Sequence, residues 1–307
     1  MRVGVISNND LCLPLLFYLT KSKAEVGLFL GKSSTPEIKR DEVPRFCHNY
    51  AVPFSDEAAN SESVYQWMQQ FNPDLVFVIG HTRKIDLQKS TLKSGIFNIH
   101  FGKLPQYRGP SPVFWQLKNM EPNIGCCIHE LTEPMDTGPI YWEKEIKNED
   151  HFSYSYVQYL FSNLIVEGVN DIIFNMSNQT ARGRIQDESK FSWFDRPTLL
   201  DVLVKWDTMH AAEICALVRA CNNWNNGAIT LYEGMELKII DASFKASMHP
   251  GKSPGTVTEV SDCIKISCSD NNELLIHYLS LNGIPFAGRE ANKFGIVEGE
   301  KLTYPSD

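Results

Sequence analysis

The sequence predicts an α/β fold: an open, mostly parallel, twisted sheet in the first part of the chain, then a small, mainly β, barrel-like unit. Three observations predict it. Residues 74–80, Asp-Leu-Val-Phe-Val-Ile-Gly, form a near-continuous apolar run, the mark of a strand buried on both faces in a parallel sheet. Strand-like and helix-like patterns alternate from residue 3 to residue 100, which implies right-handed βαβ units. After residue 201 short strand patterns crowd between Gly, Pro and Asn turns, the density expected of a small barrel.

Taken in order, residues 3–7 and 25–30 read as strands flanking a helix over 10–19, with Asn8 to Asp10 offering its N-cap. Helical periodicity returns at 42–50 and at 61–71, the latter opened by a Ser cap at residue 61. After the strand at 74–80, another runs over 96–100. A short helix is expected at 111–117 and strands at 125–131 and 139–146. Residues 153–175 have the length and period of a long helix packed on the sheet. The expected organisation is a catalytic domain over 1–178, a linker over 179–200 rich in Arg, Asp, Ser and Gly, and a C-terminal β-rich domain over 201–307. That last domain opens with a helix at 205–221 and continues in strands at 229–232, 237–240, 255–260, 264–268 and 274–279.

A chain of 307 residues can hold two domains and a large core. The formal net charge of −8 argues against a general nucleic-acid binder, and no basic domain is hidden in it. Residues 201–307 carry 9 Lys and Arg against 14 Asp and Glu, a net of −5. The eight cysteines make no Cys-x-x-Cys pair and no cluster with zinc-site spacing, so no metal is expected and the thiols read as free and reduced. The N-terminus reads as a first strand and not a signal peptide, and no apolar stretch is long enough to cross a bilayer. A cytoplasmic protein without DNA or membrane partners is the expectation. The first strand–helix turn, Ser7-Asn8-Asn9-Asp10, lacks Gly-x-Gly-x-x-Gly, and no Walker-type phosphate loop occurs.

The chemistry concentrates at Asn98-Ile99-His100-Phe101-Gly102-Lys103-Leu104-Pro105-Gln106-Tyr107-Arg108-Gly109. Asn98 and His100 stand two residues apart, so one strand points both to the same face at its end. Pro105 and Gly109 then stop further pairing. An imidazole titrating near neutrality beside an amide makes a proton shuttle next to a hydrogen-bond donor. Asp136, in Glu133-Pro134-Met135-Asp136-Thr137-Gly138-Pro139, is placed to bring a carboxylate to it. Gly80 ends the neighbouring buried strand, and ligands of parallel sheets bind beyond such carboxyl ends. The other seven histidines, His151, His210 and His249 among them, read as surface or packing residues.

Asn98-Ile99-His100, Leu104-Pro105-Gln106-Tyr107-Arg108-Gly109 and Asp136-Thr137-Gly138 together resemble the folate-dependent formyltransferases, the family of methionyl-tRNA formyltransferase and the sugar N-formyltransferases. The resemblance implies the formyltransferase type of sheet followed by an OB-like C-terminal domain. It also implies N10-formyltetrahydrofolate as the one-carbon donor and Asn98, His100 and Asp136 as the catalytic set. In that reading His100 moves the amine proton, Asn98 donates its amide N–H to the oxyanion, and Asp136 orients His100 and raises its pKa. The loop Gly80-His81-Thr82-Arg83-Lys84-Ile85 would hold the pterin, largely through its backbone. Gly80, His81, Thr82, Arg83 and Ile85, with Leu104 and Gly138, are the implied donor contacts. His81 departs from the aromatic often found there, and Gly102-Lys103 from the Ser-Leu common in the tRNA enzymes.

For the acceptor, Lys103, Tyr107 and Arg108 are the candidate contacts to an anionic group, because a guanidinium and an aromatic suit a nucleotide diphosphate. The loop at residues 31–42 has mixed charge, and no Lys/Arg run offers the broad positive surface that tRNA demands. The expected acceptor is therefore the amine of a nucleotide-linked amino sugar. Methionyl-tRNA is the alternative, and transfer to water by a formyltetrahydrofolate hydrolase a further one.

Overall fold

The computed structural model describes all residues except 33–39, 61–62, 91, 93–94, 222–225, 248–250 and 306–307. Most of the 31–42 loop, Ser61 and His249 therefore lie outside the described residues. The chain forms two compact units. The first comprises Met1–Pro112, Ile124–Ile146 and Gln158–Phe194; the second comprises Val113–Asn123, Lys147–Val157 and Asp195–Asp307.

In chain order the elements begin β1 (Arg2–Ser7), α1 (Leu13–Lys21), β2 (Glu25–Leu30), α2 (Glu42–Asn49), β3 (Phe54–Asp56), α3 (Glu57–Asn60), α4 (Val64–Phe71), β4 (Leu75–Ile79) and β5 (Ile96–His100). They continue α5 (Pro112–Lys118), β6 (Asn123–Glu130), β7 (Ile140–Lys147), α6 (Tyr154–Ser177) and α7 (Ala211–Cys221). The strands β8 (Ala228–Tyr232), β9 (Met235–Ala246), β10 (Val257–Val260), β11 (Ile264–Ser267), β12 (Asn272–Leu281) and β13 (Ile284–Ala287) follow.

Seven strands make the sheet of the first unit, in the order β3-β2-β1-β4-β5-β6-β7. The pairs from β3 to β5 are parallel, and β5 pairs β6 antiparallel. Helices on a parallel sheet bury both faces, which is why Val3, Val5, Leu28, Leu30, Val76 and Phe77 are fully enclosed. The helix expected at 10–19 divides: Asn9 accepts from the Leu11 N–H and opens a 3-10 turn at Asp10–Cys12, and α1 starts at Leu13 with a proline in its first turn. The N-cap of α4 is Ser63, in a reciprocal capping box with Gln66. A left-handed Asn72 ends that helix and turns the chain into β4.

In the second unit β10-β11-β12-β9-β8 form an antiparallel sheet, and β13 adds to β12. Glu233-Gly234 and Asn282-Gly283, all at positive φ, make the tight hairpin turns between β8 and β9 and between β12 and β13. The helix expected from 205 starts later, at Ala211. The Lys205 carbonyl accepts from the N–H groups of Thr208 and Met209 in a separate turn, and the Glu213 carboxylate reaches back 2.7 Å to the His210 N–H to start α7.

The reading of 179–200 as a linker is corrected for its first part. Arg184 and Ile140 exchange backbone hydrogen bonds at 2.8 and 2.9 Å, and Ser192 and Phe194 bond the backbone of Pro105 and Arg108. Residues 182–194 thus form a strap bound to the first unit across the turn that follows β5.

Candidate active site

The carboxyl edge of the first sheet gathers the polar side chains. The parallel register sets Ile79 beside Ile99, so Gly80 and His100 leave β4 and β5 as neighbours. The antiparallel register of β5 with β6 sets Asn98 opposite His129, and His100 opposite Cys127.

His100 is buried. Its Nε2 lies 2.7 Å from the Tyr107 carbonyl, which accepts the Nε2–H and leaves Nδ1 unprotonated. Nδ1 faces Asp136 Oδ2 at 3.8 Å. The carboxylate thus stands near the ring, while the Tyr107 carbonyl sets the ring's orientation. Asp136 raises the imidazole pKa, as expected of the pairing, but burial pushes it down by more, so the ring is held neutral.

Asp136 is buried in the left-handed region, at φ 59°. Its Oδ2 accepts from the Gly109 N–H at 3.0 Å. Burial pushes this carboxyl up, but His100, His129 and the Gly109 N–H outweigh it and hold the group below the usual carboxylate range. Gly109 itself sits at φ 113° with the Phe194 carbonyl oxygen 2.0 Å from where a Cβ would stand.

His129 was missed in the sequence, where it was grouped with the packing histidines. It is fully buried, and its Nδ1–H donates to the Glu130 carbonyl at 2.9 Å. Its Nε2 accepts from Asn98 Nδ2 at 3.1 Å and lies 3.4 Å from Asp136 Oδ1. Asn98 Nδ2 also lies 3.4 Å from Asp136 Oδ1. Both amide hydrogens therefore turn inward, which leaves the carbonyl oxygen as the outward end. The one signal for His129 was its place on a strand that pairs antiparallel to Asn98. Cys127, opposite His100, is no nucleophile, since burial pushes its thiol well up.

Gln186, from the strap, was also missed. It is buried, and its Nε2 donates to the carbonyls of Asp136 and Gly138, each at 2.8 Å. Its Oε1 accepts from Arg108 Nη2 at 2.7 Å. The Arg108 guanidinium also holds Glu188 at 2.6 and 3.0 Å and packs over Phe191. The reading of Arg108 as a diphosphate contact is corrected: its side chain is 4% exposed and clamps the strap. Tyr107 is likewise buried, its ring stacked on Phe194 at 5.0 Å. Lys103 is partly exposed, with its ammonium 5.8 Å from the Tyr107 ring.

Along the β4 loop, Thr82 Oγ1 accepts from Asn8 Nδ2 at 3.0 Å, and Arg83 pairs with Glu57 at 2.6 Å. Ile85 belongs to the core with Ile6, Phe29 and Trp67. The buried Nδ1 of His81 has no hydrogen-bond partner among the described residues. Leu104 packs against Cys127 and Ile140. At Gly138 a Cβ would stand 1.9 Å from the Glu130 carbonyl oxygen, so the backbone there needs glycine to pass. Among the described residues, no group of three or more His, Cys, Asp or Glu is placed to hold a metal ion, and no helix is long and apolar enough to cross a membrane.

A mostly parallel sheet carrying this polar cluster at its carboxyl edge is the α/β arrangement in which ligands bind beyond the strand ends. Residues 20–156 match the formyl transferase family and residues 200–289 match the formyl transferase C-terminal domain. The chain therefore belongs to the folate-dependent formyltransferase family. Among solved structures it is similar to HypX from Aquifex aeolicus in complex with tetrahydrofolic acid, at 17% identity and a TM-score of 0.66, over 99% of this chain and 51% of that one. This chain thus spans about half the length of the HypX structures it matches. It is also similar to WlaRD, a sugar 3N-formyl transferase solved in the presence of dTDP and 5-N-formyl-THF, at 16% identity and a TM-score of 0.69, over 92% and 98% of the two chains. An N-formyltransferase from Helicobacter canadensis, in complex with folinic acid and dTDP-3-aminofucose, matches at 16% identity and a TM-score of 0.70, over 89% and 98%.

Proposed function

We propose that this protein transfers a formyl group from N10-formyltetrahydrofolate to the amino group of a nucleotide-linked amino sugar. The observation that carries the reading is the meeting of Asn98, His100 and Asp136 at the carboxyl edge of the sheet. The donor fits the neighbouring loop: the buried Nδ1 of His81 has no hydrogen-bond partner among the described residues, and the loop leaves the sheet beside His100. His81, with Gly80, Thr82, Arg83, Ile85, Leu104 and Gly138 around it, is the proposed donor site. HypX was solved with tetrahydrofolic acid, WlaRD in the presence of 5-N-formyl-THF and the Helicobacter enzyme with folinic acid, which supports the same donor.

The donor supplies a formyl carbon that the acceptor amine attacks, which places negative charge on the formyl oxygen. His100 Nδ1 then takes the proton released by the amine, and the imidazolium so formed is stabilised by Asp136 Oδ2 and the Tyr107 carbonyl. The same proton returns to the departing nitrogen of the donor. Asn98 stands on the same strand face to meet the oxyanion.

The acceptor assignment rests on charge and on the relatives. A net of −5 over residues 201–307 does not suit a tRNA backbone, and the dTDP of the WlaRD structure and the dTDP-3-aminofucose of the Helicobacter one support a nucleotide sugar. With Arg108 engaged in the strap, Lys103 is the proposed cation for the diphosphate. The test is a panel of amines offered with N10-formyltetrahydrofolate and read by mass spectrometry: UDP- and dTDP-amino sugars, methionyl-tRNA, and no amine at all. Formylated nucleotide sugar is expected. Formylation of methionyl-tRNA alone, or formate released with no amine, would replace this reading with one of the two alternatives.

A further inference from the structure

Asn98 is on the right strand face to serve an oxyanion, yet its amide presents the wrong end. One N–H points at His129 Nε2, 3.1 Å away, and the same nitrogen lies 3.4 Å from Asp136 Oδ1. An outward carbonyl oxygen repels developing negative charge. The arrangement is self-consistent only while His129 is the Nδ1–H tautomer, because Nδ1 donates to the Glu130 carbonyl and Nε2 must accept.

We propose that His129 is a positioning residue that sets which end of the Asn98 amide faces the reacting atoms, and that a proton on His129 Nε2 turns the donor end outward. The proposal rests on the formyl-transfer reading of the site and deepens it.

The physical logic follows from the contacts. Rotating the amide while Nε2 is bare would set an oxygen against a nitrogen lone pair and close to the Asp136 carboxylate, losing two donors' partners at once. With a proton on Nε2 the balance reverses. The N–H lies within reach of both Asp136 Oδ1, at 3.4 Å, and the rotated Asn98 oxygen, and it separates those two acceptors. Nδ1–H keeps the Glu130 carbonyl in both states. The rotated Asn98 then offers two N–H groups outward, where an oxyanion needs them. The titratable groups facing His129 are Asp136, from the loop after β6, and His100, from β5, whose ring centre is 6.2 Å away.

The test needs neither donor nor acceptor, so it fails or succeeds independently of the activity. In the full chain with 15N-labelled Asn, the Asn98 side-chain amide pair is identified by its loss in Asn98→Asp. Its shifts are followed with pH, beside the ring signals of the histidine that shows a nuclear Overhauser contact to it. The proposal expects the amide pair to move with the same midpoint as the His129 ring, and to stop moving in His129→Gln. An amide pair that ignores pH in the wild type overturns the proposal, and this reading does not depend on whether His129→Gln folds. A midpoint that follows the His100 ring, identified by its loss in His100→Ala, also overturns it.

Discussion

The Asp136 carboxylate accepts the Gly109 backbone N–H at 3.0 Å, and this contact joins the two loops that flank the candidate site. One comes from the turn after β5 and the other from the turn after β6, so neither loop can shift without the other. The Gln186 amide adds a second tie, to the carbonyls on either side of Thr137. The geometry around His100 is therefore fixed by backbone groups as much as by side chains.

Asp136→Asn keeps an oxygen for the Gly109 N–H and removes the charge. With the carboxylate gone, burial of His100 is opposed only by the Tyr107 carbonyl, and its pKa falls further. His100 works as a base only when neutral, so the acid limb of the pH–rate profile moves to lower pH. The rate at the plateau falls roughly a hundredfold, since the imidazolium loses its counter-charge. A profile with the wild-type acid limb would show that the carboxylate does not act on His100.

Arg108→Ala tests the clamp. A substrate contact would change KM and leave stability alone. Loss of the buried guanidinium bond to Gln186 costs about 2–3 kcal/mol, and with Glu188 also released the strap is freed. The expected result is a lower Tm together with faster tryptic cleavage at Arg182, Arg184 and Lys190. A raised KM with unchanged Tm and unchanged proteolysis would restore Arg108 to the substrate.

His81 makes the fold sensitive to acid. Burial lowers its pKa from 6.5 to about 4. Between those values the unfolded chain binds a proton that the folded chain refuses, so stability falls as pH drops from 6.5 towards 4. A unit of pKa shift is worth about 1.4 kcal/mol, and with partial solvent access at this ring the loss is on the order of 2 kcal/mol. In His81→Asn the drop in Tm between pH 7 and pH 5 should be visibly smaller than in the wild type. An equal drop would mean that His81 is accessible enough to take its proton in the folded state.

Gly109→Ala would place a Cβ 2.0 Å from the Phe194 carbonyl oxygen in a conformation that L residues rarely adopt. The strap has to lift for it to fit. The expected outcome is a protein that either fails to fold or shows the protease sensitivity of the Arg108→Ala variant, whereas an alanine protein of wild-type Tm would show that the strap is not held against this turn.

The parts of the molecule that were legible in the sequence are those where one short segment holds all the information. The apolar run in β4 announces a buried parallel strand by itself, and Asn98 and His100 share a face because a strand alternates every second residue. β3, of three residues, is too short to leave a pattern, and Pro285 obscures β13. His129 was not legible because its role depends on the direction of β6: only antiparallel pairing with β5 sets it opposite Asn98. Arg108 and Gln186 were misread or missed for the same reason. Their partners lie 78 and 50 residues away along the chain, and the polar, glycine-containing strap looks locally like a linker.

The most direct measurement is the kcat of His100→Ala against the wild type, with N10-formyltetrahydrofolate and the amino sugar nucleotide that the amine panel identifies, each protein checked for its fold by circular dichroism. The expected result is a folded variant whose kcat is lower by roughly a hundredfold or more, with donor binding retained. A folded variant that turns over at the wild-type rate would contradict it.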